Sequence, residues 1–170
     1  MRNRLYESCL TSGLTLLFFT SFCFAIPAVW FFTGQPLNGF LFWAAAAAAV
    51  GCARIAASRL DPDRRNPLFL ISIGISAAIF AASFLIAGYF YDLSYDGQAY
   101  HQEAVIFLAE GWNPVYDPPL EVPTGHALWI NHYAKAMEYS AAAFYKATGL
   151  LEHGKLFNLL MIGSSFLLSF

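Results

Sequence analysis

Two long stretches of this 170-residue chain lack formal charge altogether. No Asp, Glu, Lys or Arg occurs from Ser8 to Ala53, nor again from Asn66 to Tyr91. Charged residues make up 12% of the chain and hydrophobic residues 58%, against roughly 25% and 45–50% in ordinary soluble domains. A soluble fold this small exposes too much surface to conceal two such stretches, so lipid is the better solvent for them. Cysteine is scarce: Cys9, Cys23 and Cys52 all lie in or beside apolar runs. That excludes a disulfide-stapled domain in the later polar segment, and no metal-type cysteine spacing is present. Basic residues are missing where nucleic acid would need them. All six arginines precede residue 66 and no basic face with interleaved aromatics exists, so nucleic acid is not a partner. Gly-rich phosphate loops, nucleophile elbows and zinc spacings are absent as well.

What remains is apolar sequence in span-sized pieces. A crossing helix needs about 20 mostly apolar residues, and Leu10–Phe32 meets this, with Pro27 near its far end and Trp30 placed as an interface anchor. Gly34-Gln35-Pro36 makes a tight turn, and Leu37–Ala53 returns as a second span, whose run Ala44–Ala49 suits close helix packing. Ser58–Pro67 reads as a charged loop, and Leu68–Tyr91 as a third span closed by the aromatic belt Tyr89-Phe90-Tyr91. Lys155–Phe170 begins a fourth span that stops after 16 residues without a flanking charge; it reads as the start of a helix continuing beyond Phe170. Arg2 and Arg4 resemble the basic start of a signal peptide. However, the apolar stretch after them exceeds the usual length of about 7–15 residues and no small-x-small cleavage site follows, so the helix is retained. The expected fold class is all-α: a polytopic membrane protein with three complete spans and a truncated fourth. Its divisions are 1–66, 67–91, 92–154 and 155–170.

Arginines of short loops stay cytoplasmic. The pair Arg2/Arg4 and the cluster Arg54–Arg65 are separated by two spans and therefore share a side. The N-terminus is then cytoplasmic, and the third span delivers Asp92 to the opposite face. Eight of the eleven acids follow residue 91, so segment 92–154 is the acidic, aromatic-rich outer face. Within it, Gly97–Glu110 reads as a short helix with Asp96 as N-cap; Tyr100, Ala104, Phe107 and Leu108 share one face, while Glu103 and Glu110 point elsewhere. Gly111–Gly125 carries four prolines and must be a backbone-restricted loop. Ala127–Thr148 reads as one amphipathic helix, with Trp129, Tyr133, Met137, Phe144 and Ala147 on its apolar side. Asn131, Lys135, Glu138 and Lys146 lie on its polar side, and Gly149 stands at the C-cap position. Two such juxtamembrane helices can lie in the interface, aromatic side down.

Candidate chemistry concentrates just outside the third span. Asp92 and Asp96 emerge four residues apart, with His101 five residues later. A carboxylate at the bilayer edge is costly unless hydrated, paired or used, and desolvation there would raise its pKa toward that of a general base. The plainer alternative is that Asp96 caps a helix and Asp92 is a solvated boundary residue. His101 and Glu103 would join Asp96 in a divalent metal site, against the more ordinary structural use of both. Lys135 reaches a lipid phosphate as a point charge, or simply snorkels and pairs with Glu138 three residues on. Trp112 and Tyr116 would stack on a sugar ring, or serve as belt aromatics. Asp117 and Glu121 are most simply solvated loop charges.

The Asp just outside a span, the juxtamembrane helix and the return through a second such helix resemble the GT-C class of multi-spanning, polyprenyl-phosphate-dependent glycosyltransferases. The stretches Tyr95-Asp96-Gly97-Gln98 and Gly111-Trp112-Asn113-Pro114 look like those of uncharacterised bacterial members. The resemblance covers about residues 68–170, and two spans precede the one that opens the pattern. It implies sugar transfer from a lipid-linked phosphate donor to an acceptor hydroxyl, outside a bacterial inner membrane. Asp96 would be the base or the holder of a metal ion, with Asp92 in reserve; Lys135, Trp112, His101 and Tyr116 would touch substrate. Membrane lipid and the lipid-linked donor are the implied partners. The remaining spans would lie beyond Phe170, leaving residues 1–170 inactive alone. Two other classes stay open: a transporter or flippase of lipid-linked saccharides, disfavoured by charge-free spans, and a non-catalytic membrane scaffold.

Overall fold

The computed structural model describes residues 4–123 and 125–170; Arg2 lies outside them. Every element among these residues is helical. The first three helices are α1 (Arg4–Phe31), α2 (Phe40–Leu60) and α3 (Arg65–Tyr89), each long and apolar enough to cross a bilayer. Three spans make this an integral membrane protein. After a π-helical turn at Gly97–His101 come α4 (Gln102–Glu110), α5 (Ala127–His132) and α6 (Ala136–Thr148); a 3₁₀ turn at Glu152–Lys155 then leads into α7 (Leu156–Ser169). At 14 residues, α7 is shorter than the roughly 20 that a span requires.

Small side chains set the helix contacts. Leu41, Ala45, Ala49, Ala53 and Ala57 are all buried, at strict four-residue spacing, giving α2 a thin ridge that lies against α1 and α3. Gly13 on α1 leaves room for Leu167 and Leu168 of α7, and the Ser164 hydroxyl of α7 donates to the Gly13 carbonyl at 2.8 Å. Hydroxyls that would be orphaned in an apolar interior donate one turn back instead: Thr11 to Glu7 O, Ser12 to Ser8 O and Thr15 to Thr11 O, at 2.7–2.8 Å. The outer faces stay greasy. Leu70, Leu85 and Phe166 are 66–75% exposed, which only lipid makes tolerable.

Helices outrun the apolar runs that reveal them. The second helix continues seven residues past Ala53 and takes in Arg54 and Arg59, while the third starts at Arg65, so the loop shrinks to Asp61–Arg64. Hydropathy marks where lipid ends; the backbone stays helical into the headgroup zone, where long arginine stems reach water. Arg54 sends Nη1 toward the Arg65 carbonyl at 3.4 Å, and Arg4 and Arg64 line one cavity. The described arginines therefore gather at one end of the bundle.

Segment 92–154 packs on the other end. Asn113 is buried and donates Nδ2 to Phe31 O at 2.9 Å, while the Tyr116 hydroxyl donates to Phe32 O at 2.9 Å. Gly39, opening α2, meets the Lys146–Ala147 backbone of α6 so closely that a Cβ would collide. The proline-rich loop is held as its composition requires. Asn131 brackets Leu120, accepting from its N–H at 2.9 Å and donating to its carbonyl at 3.0 Å. Asp117, taken from the sequence as solvated, accepts the Asn113 N–H at 2.7 Å.

Ala127–Thr148 is not one helix. The chain extends at Tyr133 (φ −72°, ψ 150°) and restarts at Ala136. Two cores pull on it. Ile130 is buried with Tyr100 and Ala104 in a small outer cluster, whereas Phe144 enters the bundle against Phe42, Phe84 and Phe157. Residues 141–144 of α6 are buried consecutively, which marks a helix enclosed on several sides rather than one lying on a surface. Gly149 closes α6 in the left-handed region, as its position in the sequence suggests (φ 76°).

Two outcomes follow. In a background without native cysteines, single cysteines at Tyr116 and Asp63 should react with an impermeant maleimide from opposite membrane faces. Asn113→Ala should cost about 1–3 kcal/mol, the penalty for stranding a buried partner, read as a lower melting temperature in detergent.

Candidate functional site

The sequence singles out residues 92–101, and their backbone departs from a plain helix. Ser94, not Asp96, is the N-cap: its hydroxyl accepts the Gly97 N–H at 3.0 Å, while Asp96 makes no capping bond. From Gly97 the turn widens, and Gln102 N–H reaches back five residues to Gly97 O. Such π turns carry one surplus residue and recur at functional sites.

The two aspartates ahead of this turn line different cavities. Asp92 lines one of about 330 Å³ together with His101, Gln102, Glu138, Lys155 and Asn158. Asp96 lines another of about 150 Å³, walled by Tyr95, Tyr100, His126, Trp129 and Tyr133. A larger cavity of about 380 Å³ lies between α1, α2, α3 and α6, but no ionisable side chain lines it; chemistry has no handle there.

The Asp92 cavity is built by hydrogen bonds to Glu152. Its carboxylate accepts from Asp92 N–H at 3.2 Å, Gln102 Nε2 at 2.8 Å and Lys155 Nζ at 2.7 Å. Gln102 sits at the start of α4, beside Gln98, whose Nε2 donates to the Asp92 carbonyl at 2.9 Å. Asp92 in turn accepts the Ser94 N–H at Oδ1, 2.9 Å, and lies against Cα of Gly97, where any Cβ would overlap its carboxylate. Across the cavity, His101 Nδ1 meets Glu138 Oε1 at 2.7 Å, with the imidazole side chain 46% exposed and the carboxylate 6%. A buried carboxylate that fixes an accessible imidazole is the arrangement by which histidine is oriented for proton transfer.

Electrostatics reverse the expectation for Asp92. Hydrogen bonding to Ser94 is the main influence and holds its pKa below the ordinary carboxylate value, helped by the Lys155 and His101 charges against a smaller desolvation effect. For Glu152, burial pushes upward, but bonds from Lys155, the Asp92 backbone and Gln102 outweigh it and the pKa is lowered too. Asp92 is thus an anion at neutral pH, suited to holding a hydroxyl or a positive charge.

The other sequence candidates scatter. Lys135 does not pair with Glu138 in an ion pair; its Nζ donates to Tyr133 O at 2.9 Å and Trp129 O at 3.4 Å, closing the end of α5. Desolvation lowers its pKa, partly countered by the Glu138 charge. Trp112 packs between the two cores, and Tyr116 is tied to Phe32; neither lines the Asp92 cavity. Glu103 lines neither of the two aspartate cavities. Among the described residues no three His, Cys, Asp or Glu side chains gather as a metal site, so the donor set does not fit the metal considered from the sequence. Glu138, Glu152 and Lys155 are the residues that sequence reasoning missed as site members. Glu152 and Lys155 carry a readable signal, an i,i+3 acid–base pair opening a new helix; Glu138 looked like a surface charge.

No family model matches the chain, and no curated protein or solved structure is similar to it.

Both lowered carboxylates stabilise the fold above their unfolded values of 3.8 and 4.5. That contribution is lost as pH falls through the lower folded values. The melting temperature in detergent should stay level from pH 7 to about 5 and drop below about 4. In Glu152→Gln the acid-side drop should shrink, as differential scanning calorimetry would show.

Proposed function

We propose that this protein is the N-terminal part of a membrane glycosyltransferase that moves a sugar from a lipid-linked phosphate donor to an acceptor hydroxyl, on the face opposite the arginine loop. That face is extracytoplasmic by the positive-inside rule. The observation that carries the reading is the Asp92 cavity at the exit of α3, where an ionised carboxylate, a carboxylate-oriented imidazole and a lysine converge.

The roles follow from that chemistry. Glu138 fixes the imidazole through Nδ1, leaving Nε2 of His101 to take the proton of the acceptor hydroxyl as its oxygen bonds to the anomeric carbon. The bond from that carbon to the phosphate oxygen breaks, and the lipid phosphate leaves as an anion beside Lys155. Asp92 holds the acceptor and balances positive charge developing on the sugar. This favours Asp92, the second of the two sequence candidates, over Asp96, which faces the aromatic cavity. A fourth span at α7 and a bacterial inner membrane belong to the same proposal, the membrane resting on the GT-C resemblance.

In the full-length protein, transfer of a radiolabelled polyprenyl-phosphate sugar should fall by about 10²–10⁴-fold in His101→Ala, the range for lost acid–base catalysis, and by about 10²–10³-fold in Asp92→Asn, the range for lost charge stabilisation. Expression should hold in His101→Ala, with the melting temperature lowered by the stranded Glu138 carboxylate, while Asp96→Asn should retain transfer. Full activity in both Asp92→Asn and His101→Ala would overturn the assignment.

A further inference from the structure

The Asp96 cavity has a different chemistry from its neighbour. Four of its six lining residues are Tyr or Trp, and the others are one carboxylate and one imidazole. The rings do not collapse into a single stack. Tyr133 stands perpendicular to Tyr100 (86°, centroids 5.5 Å apart), His126 perpendicular to Tyr95 (88°, 5.9 Å), and His126 is steeply inclined to Trp129 (64°, 5.9 Å). Only Trp129 and Tyr100 run nearly parallel, at 19°. These side chains line one small space, and each aromatic ring carries negative charge on its face and positive on its edge.

Polar groups complete the enclosure. The Tyr95 hydroxyl lies 3.1 Å from His126 Nε2, tying the start of the 97–101 turn to the end of the proline loop. Asp96, exposed and lining the same cavity as the Tyr100 phenol, supplies a carboxylate at the rim. His126 Nδ1 is buried without a hydrogen-bond partner, so one polar contact inside this wall is left unused. Tyr100 is buried at 7% exposure whereas Tyr95 and Tyr133 are 74% and 48% exposed, so the box has a floor and an open mouth.

The geometry points to a binding site for a small alkylammonium cation, held by cation–π contact with Trp129, Tyr100 and Tyr133 and by the charge of Asp96. Aromatic faces plus one carboxylate are the recognition chemistry of quaternary and methylated ammonium groups, which are too weakly hydrated to resist desolvation. A volume near 150 Å³ holds one compact headgroup. Its mouth lies within seven residues of the end of α3, so the cation comes either from a lipid headgroup in the adjoining leaflet or from a free solute. The site is independent of sugar transfer, because Asp92, His101 and Glu138 line the other cavity.

The test is calorimetric titration of the full-length protein in phosphatidylglycerol nanodiscs with choline, tetramethylammonium and 3,3-dimethylbutanol, the neutral isostere of choline. Both cations should bind, and choline should exceed the isostere by roughly thirtyfold, the size of a desolvated cation–π contact. Trp129→Ala and Tyr133→Leu should abolish that preference, Tyr133→Phe should keep it, and Asp96→Asn should weaken binding of both cations several-fold. Repeating the choline titration in phosphatidylcholine nanodiscs separates the sources: apparent affinity falls if lipid headgroups occupy the box, and is unchanged if the ligand is a free solute. Equal affinity for choline and its isostere, or no binding of either cation to the unmodified protein, would overturn the proposal.

Discussion

The end of the bundle opposite the arginines depends on what one half-buried carboxylate does with its lone pairs. Glu152 takes three donors from three places: the backbone just past α3, the first residue of α4, and the lysine that precedes α7. A carboxylate near lipid would otherwise be a liability, and satisfying it with one cation and two neutral donors makes it a fixed point. Because it grips the Asp92 backbone, the Asp92 side chain is free to face the cavity and to be tuned by Ser94. Because it also holds Gln102, the turn that carries His101 is tied to the chain just past α3. Charge, backbone and cavity are set by the same contact.

The architecture separates its tasks by solvent. Within the bilayer, cohesion comes from close approach at alanine, glycine and serine, with hydroxyls turned back on their own helices. At the far end, where water returns, side-chain hydrogen bonds take over. Asn113, Asn131 and Tyr116 pin a loop whose four prolines limit its freedom. Phe144 joins the two regimes, since α6 belongs to the outer segment yet buries its phenylalanine among the spans.

Much of this was legible in the sequence, for physical reasons that also explain the rest. Charge-free runs and clustered arginines report on lipid and potential, which act on every residue alike, so three helices and two chemically distinct ends could be read directly. Tyr100, Ala104 and Leu108 share a buried face because a single short helix has one period. Gly149 follows from a local backbone need. The break at Tyr133 was invisible, since neither proline nor glycine marks it; two distant cores impose it. Glu138 was read as a polar-face residue because its partner, His101, lies 37 residues away, across a loop whose path no local rule supplies. Desolvation was expected to dominate Asp92, but a serine two residues on decides its ionisation instead.

One surplus residue in the turn at Gly97–His101 sets where the imidazole stands. Each residue advances a helix by about 100°, so deleting any one of the five would let the backbone relax into an ordinary α-helix while swinging the ring away from Glu138. Local regularity and the dyad are therefore in opposition: the sequence keeps a wider turn, and that turn is the register mark that aligns two otherwise unrelated helices.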